Sequence, residues 1–220
     1  MQKVKHIYLS RFMRNNMPCY NGGNNFCLVQ VNSIGEGNRT NSLQISTANH
    51  VGTHIDFPSH YIANGKSLSD YSPSFFVFEN PFICDIPMQN GEYITANHLM
   101  RSSISDKTDI LIIRTGYGVF YNQDKYWNDN PGIDESAAKY IKSSFASIRA
   151  IGVDFISINA YRDKEAGRQA HIAFLSDPEV LIIEDLYIPS KNYNYSRITI
   201  APMLIADADG APCAIIAEIE

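Results

Sequence analysis

Basic charge is in short supply: 18 lysines and arginines stand against 23 aspartates and glutamates, for a net charge of −5 and a pI near 5.7. A chain that grips nucleic acid wants a basic face, so that class of partner is not expected. Long apolar runs are missing too, and none approaches the roughly 20 residues a membrane-spanning helix needs. Cysteine is scarce, at four (Cys19, Cys27, Cys84, Cys213), and no two form a Cys-x-x-Cys pair. They read as reduced, structural thiols of a cytoplasmic protein. Met1 to His6 carries charge with no apolar stretch behind it, so a signal peptide is not expected. The Gly-x-Ser-x-Gly elbow of many Ser-His-Asp hydrolases does not occur, which argues against that chemistry. Repeats, low-complexity tracts and linkers are lacking as well, so residues 1–220 are expected to form one domain. The remaining balance, 45% hydrophobic and 19% charged, is that of an ordinary globular chain with enough residues to bury a substantial core.

What is present is a concentration of histidine. The chain has six, and three of them (His50, His54, His60) fall between positions 50 and 60 with Asp56 among them. Imidazole and carboxylate are ligands that divalent first-row metals accept. Gly52 and Pro58 oppose a helix here. In a straight strand His54 and Asp56 share a face about 7 Å apart, while His50 and His54 stand roughly 13 Å apart. One ion cannot be reached from both ends of that span, so the chain is expected to fold back near Gly52-Thr53 and run into a short strand. A lone histidine would pass for a polar loop residue; three with an interleaved Asp and Gly point to a metal loop.

Around this loop the pattern is mixed α/β. Ile7 to Leu9, Phe26 to Val31, Ser42 to Thr47 and Pro81 to Ile86 read as strands. Asp109 to Gly116 holds Ile110-Leu111-Ile112-Ile113, the mark of a strand buried on both faces. Thr95 to Ser103 reads as a short helix, with His98 structural or solvent-facing. Tyr117 to Pro131 is an aromatic-rich loop whose Tyr121, Tyr126 and Trp127 pack it or face a pocket. Asp134 caps a helix that carries Ala138, Ile141 and Phe145 on one stripe, and a strand from Ala150 to Ile158 follows. Glu165 to Leu175 has helical composition and contains His171. Glu184 ends the apolar run Val180 to Ile183; in a buried strand it needs a metal or a basic partner, and in a loop it would simply be solvated. A hairpin from Pro202 to Ile219, turning at Asp209-Gly210, closes the chain.

The pattern His50-x-Gly52-Thr53-His54-x-Asp56-x-Pro58-x-His60 resembles the signature of the cyclase family, which includes bacterial kynurenine formamidases and isatin hydrolases, metal-dependent amidohydrolases. The resemblance runs from about Ile7 to Ala217. Tyr20 matches the aromatic of the family's Pro-x-aromatic-Pro-Gly-Asp loop, which lies against the substrate, although Asn21 and Gly23 replace its Pro and Asp. Asn64-Gly65-Lys66-Ser67-Leu68 and Arg114-Thr115-Gly116 are similar to further family segments. The family's helical histidine and its strand-ending glutamate, which supply the rest of its metal site, fall on His171 and Glu184, with Ile172 where a basic residue is common.

This resemblance implies a fold in which a mixed sheet closes toward a barrel with helices outside (a swivelling β/β/α architecture), a homo-oligomer, and hydrolysis of a small amide such as an N-formyl arylamine or a cyclic amide. It implies that His50, His54 and Asp56 hold one ion and that Asp56 bridges to a second held by His171 and Glu184. Zinc suits His-rich ligation, and carboxylate-rich two-metal sites also accept manganese. His60, left over from the ligand set, suits proton transfer as general acid. The same residues could instead serve ring closure or lactone hydrolysis, or a protein that binds metal without turnover.

Overall fold

The computed structural model describes residues 5–23, 25–189 and 192–220, so the reading of Met1 to Val4 lies outside the described residues. Along the chain run β1 (Lys5–Tyr8), β2 (Phe26–Asn32), β3 (Ser42–Thr47), β4 (His54–Asp56), β5 (Val77–Phe78), β6 (Pro81–Asp85), β7 (Tyr93–Ile94), α1 (Ala96–Leu99) and β8 (Ile110–Arg114). They are followed by α2 (Lys125–Asn128), β9 (Gly132–Ile133), α3 (Glu135–Ser144), β10 (Ala150–Val153), α4 (Lys164–Leu175), β11 (Leu181–Glu184), β12 (Tyr195–Pro202) and β13 (Gly210–Ile219).

The main sheet has the order β5-β12-β13-β4-β11-β10-β8-β6, with β1 also paired to β13. β6, β8, β10 and β11 are parallel; the others join antiparallel. Only two residues separate β5 from β6 in the chain, yet they stand at opposite ends of this order. Their proximity curls the sheet into a nearly closed barrel, the mixed α/β architecture expected. α3 and α4 pack together outside it, and α4 rests on β11. Ile110 to Ile113 are fully buried, as a strand covered on both faces requires. Asp134 caps α3 by accepting hydrogen bonds from the Ser136 and Ala137 backbone N–H groups. No described helix is long and apolar enough to cross a membrane.

Three local expectations differ. The helix expected over Thr95 to Ser103 is the single turn α1 (Ala96–Leu99), whose N-terminus His98 closes by accepting from the Thr95 N–H. The strand expected from Ala150 stops at Val153, because Asp154 turns its carboxylate onto the Thr115 and Gly116 N–H groups. The C-terminal hairpin is longer than expected and turns earlier: Pro202 ends its first strand and Gly210 already begins the second. Asp209-Gly210 is therefore no tight turn, and the residue before β13 is free for other work. In the aromatic loop, Tyr117 and Tyr126 are wholly buried and pack it from within.

Candidate metal centre

β4 lies between β11 and β13, and this register builds the site. His54 stands directly opposite Glu184 across the β4–β11 pair, and Asp56 is two residues along on the same face. Gly52, at φ +65°, makes the bend that the histidine spacing demanded, a conformation glycine adopts without penalty. The bend returns His50 Nδ1 to 2.8 Å from Asp56 Oδ1. From α4, His171 points Nε2 to 3.4 Å from Glu184 Oε1 and 3.7 Å from Asp56 Oδ2. His54 Nε2 lies 3.5 Å from Asp56 Oδ1 and 3.4 Å from Glu184 Oε2. Glu184 is buried at the end of its strand, not solvated. Its Oε1 also accepts from the Ile158 N–H (2.7 Å) and the Ser157 hydroxyl (3.0 Å).

Hydrogen bonding on the far side of each ring fixes which nitrogen faces inward. His54 Nδ1 meets the Gly52 carbonyl at 2.7 Å, and His171 Nδ1 meets the Gly167 carbonyl at 2.8 Å. A carbonyl only accepts, so both Nδ1 atoms carry the proton, and Nε2 is left facing carboxylate oxygens. In the neutral ring that sets lone pair against lone pair, a conflict that a proton or a metal cation resolves. Ring N–H bonds to backbone carbonyls are also the usual outer support of metal-binding histidines. Two donor groups, His50–His54–Asp56 and Asp56–His171–Glu184, each gather their ligand atoms within 4.8 Å of one another and share Asp56. Donor chemistry, tautomers and shared carboxylate all fit a divalent ion.

The electrostatics agree. Burial pushes the His54 imidazole down, but its hydrogen bond to Glu184 and the charges of Asp56 and Glu184 more than reverse this, raising it to about 9. His171 is raised for the same reasons. Glu184 resists its burial and sits well below the usual carboxylate range because His171 and His54 face it. This is a cation-seeking centre. His60 differs: burial, with His50 and His171 nearby, lowers it despite the neighbouring carboxylates.

All seven residues expected at the site (His50, His54, Asp56, His60, His171, Glu184 and Tyr20) line one pocket of about 220 Å³. Tyr20 packs edge-on against Tyr161, which meets Trp127 in turn, each pair 6.2 Å between centroids. Its hydroxyl is buried without a partner among the described residues. Two neighbours escaped the sequence reading. Tyr61 stacks on His171 with centroids 4.5 Å apart. Asp209 Oδ2 lies 2.9 Å from His60 Nδ1 and 3.2 Å from His50 Nε2, which locks two stacked imidazoles to one carboxylate. Read locally, Asp209-Gly210 signals a turn, and nothing local signals this contact. Gly210 follows because a Cβ there would lie 2.2 Å from His50 Cε1.

The putative cyclase family model matches residues 7–160 of this chain. Kynurenine formamidase of Geobacillus thermodenitrificans is 24% identical over 208 residues, covering 94% of this chain and 93% of that protein. The Bacillus anthracis protein of the same name is 24% identical over 212 residues, 96% of each chain. Among solved structures, isatin hydrolase A from Labrenzia aggregata superposes with a TM-score of 0.81 at 18% identity, over 98% of this chain and 94% of that one. His171 and Glu184 lie beyond the family-model match, yet the fold brings them onto its histidine motif. With well over half of its length matched, the chain belongs to the putative cyclase family.

Proposed function

We propose that this protein hydrolyses a small amide, an N-formyl arylamine or a cyclic amide, at a centre of two divalent ions. The carrying observation is Asp56, whose two oxygens face two separate donor groups, His50 with His54 on one side and His171 with Glu184 on the other. Full-length relatives named for formamide and isatin hydrolysis support the amide class. His50, His54 and Asp56 would hold one ion, and Asp56, His171 and Glu184 the second, with zinc favoured by three imidazoles. When bound, such ions polarise a carbonyl and bring the pKa of water toward neutrality.

The rest falls to the chain's own groups. Asp209 fixes His60 through Nδ1, which leaves Nε2 to take a proton from the attacking water and deliver it to the departing nitrogen. Burial keeps this imidazole neutral until it is needed. Tyr20 and Tyr61 flank the pocket as aromatic walls for an aryl substrate.

The same reading extends to assembly and location. Among the described residues β2 and β3 pair only with each other, and Val29, Val31, Leu43 and Ile45 on them are exposed. A two-stranded ribbon is marginal by itself, which supports cover from a second copy in a homo-oligomer. One main core cluster reaching from Leu9 to Ala217 supports a single domain over residues 1–220, and four free cysteines support a cytoplasmic enzyme. Metal analysis paired with a hydrolysis screen of formanilides, isatin-like rings and lactones tests the central reading. Amide turnover that a chelator abolishes is expected; a metal-free preparation with full turnover would overturn it.

A further inference from the structure

Arg11 has no part in the proposed reaction, yet it closes a ring of hydrogen bonds behind the metal ligands. Its Nε donates to Asp185 Oδ1 at 3.0 Å and its Nη2 to the Leu186 carbonyl at 3.3 Å. The Tyr126 hydroxyl donates to the same Asp185 oxygen, and the guanidinium lies 4.0 Å from the centre of the Tyr121 ring. Meanwhile the Arg11 backbone N–H donates to Thr53 Oγ1 (2.9 Å), and the Thr53 hydroxyl donates to the Asp185 carbonyl (2.7 Å). The circuit thus runs from the Arg11 side chain through both the side chain and backbone of Asp185 to Thr53 and back to Arg11.

Thr53 immediately precedes His54, and Asp185 immediately follows Glu184, so the circuit brackets the cross-strand pair at the centre of the site. Asp185 also holds φ at +56°, which a non-glycine residue keeps only where its surroundings over-determine it. Its N–H is tied to the Phe155 carbonyl at 2.9 Å, and Arg11 with Tyr126 anchors the side chain. We propose that Arg11 is a positioning residue: by clamping Thr53 to Asp185 it sets the spacing of His54 and Glu184 for the metal. This rests on the metal reading above. A surface ion pair would serve fold stability alone; here a half-buried guanidinium reaches a buried carboxylate and a backbone carbonyl at once and is aimed at two ligand-bearing backbone segments.

The test uses the full chain loaded with cobalt(II), whose visible absorption reports coordination geometry. Arg11→Met alone strands the Asp185 carboxylate and risks unfolding. The double variant Arg11→Met/Asp185→Asn removes both charges, and asparagine tolerates the positive φ. Its expected behaviour is a folded protein with cobalt affinity about 10–100-fold weaker and an altered spectrum, the size typical of lost outer support at a metal site. Arg11→Lys, which keeps the charge but not the fork, should fall between the two. If the double variant does not fold, the lysine variant decides by the same two readouts. Folded variants that bind cobalt with wild-type affinity and spectrum overturn the clamp whatever happens to their melting temperature. Wild-type protein that takes up no metal overturns both the clamp and the metal centre, which separates the two failures.

Discussion

One of the tightest constraints at the site comes from a residue with no side chain. Gly210 pairs with Asp56 across β4 and β13, and a Cβ built on it would lie 2.2 Å from Cε1 and 2.8 Å from Nδ1 of His50. Ordinary contact begins near 3.4 Å, so Gly210→Ala must displace the imidazole by about 1.2 Å, the difference of those two distances. His50 cannot yield that much in place. Its Nδ1 sits 2.8 Å from Asp56 and its Nε2 3.2 Å from Asp209, and the His60 ring is stacked 3.9 Å away on one side. Overpacking of this kind costs about 1–3 kcal/mol. For a chain of this size that is roughly 2–12 °C in melting temperature. The larger effect should be on metal. With His50 swung away, the group containing His54 and Asp56 loses one of three donors while the group containing His171 and Glu184 stays intact. Metal analysis should therefore fall toward one ion per chain, and amide turnover should drop by at least tenfold. Thermal melting, metal content and turnover, measured on the same preparation, check this. A Gly210→Ala protein with two tightly held ions and wild-type turnover would refute the packing argument and the placing of His50 among the ligands.

Other outcomes follow from the same geometry. His54→Ala should cut bound metal and activity by orders of magnitude, and full metal stoichiometry in that variant would remove the central claim. Metal-free His54 titrates at about 9, above the 6.5 of a free imidazole, so its proton contributes stability that is complete below about 6.5 and is lost as pH climbs through 9. A metal ion must displace that proton, so affinity should strengthen up to about pH 9, and calorimetry at pH 7 in buffers of different protonation enthalpy should find at least one proton released, since His50 and His171 are raised as well; none released would refute it. His60→Ala should keep its metal but lose amide turnover about 10²–10⁴-fold, with a smaller loss on an activated aryl ester that needs no protonation on departure. Equal damage to both substrates, with metal lost, would instead make His60 a ligand. Sedimentation at assay concentration should find a dimer or larger, and an active monomer would count against the ribbon of β2 and β3 as a covered surface.

How much of this was legible in the sequence depended on the range over which each signal acts. The bend at Gly52 could be derived because three ligands spaced too far apart for an extended chain leave no other route to one ion. The buried strand at Ile110 to Ile113 and the cap at Asp134 are equally local, and each is found where residue type and period place it. Glu184 was half legible: the apolar run ahead of it raised the question of its burial, and only β4, three residues long and too short for any periodicity, answers by setting His54 opposite. Asp209 was not legible at all. Asp-Gly is a turn signal wherever neighbours alone are considered, but here the following glycine opens a ten-residue strand, and the aspartate is placed by pairing with a segment some 150 positions earlier. The same long-range pairing explains why the glycine is needed, since its partner across β4 carries the carboxylate that draws His50 over it. Arg11 belongs with Asp209 in this respect. Its role is set by Thr53 and Asp185, which lie 42 and 174 positions away, and only the closed circuit of hydrogen bonds reveals that they hold one site. Four of the site's residues are thus written compactly between positions 50 and 60, while His171, Glu184 and the geometry that tunes the whole come from segments that the barrel brings behind and beneath that stretch.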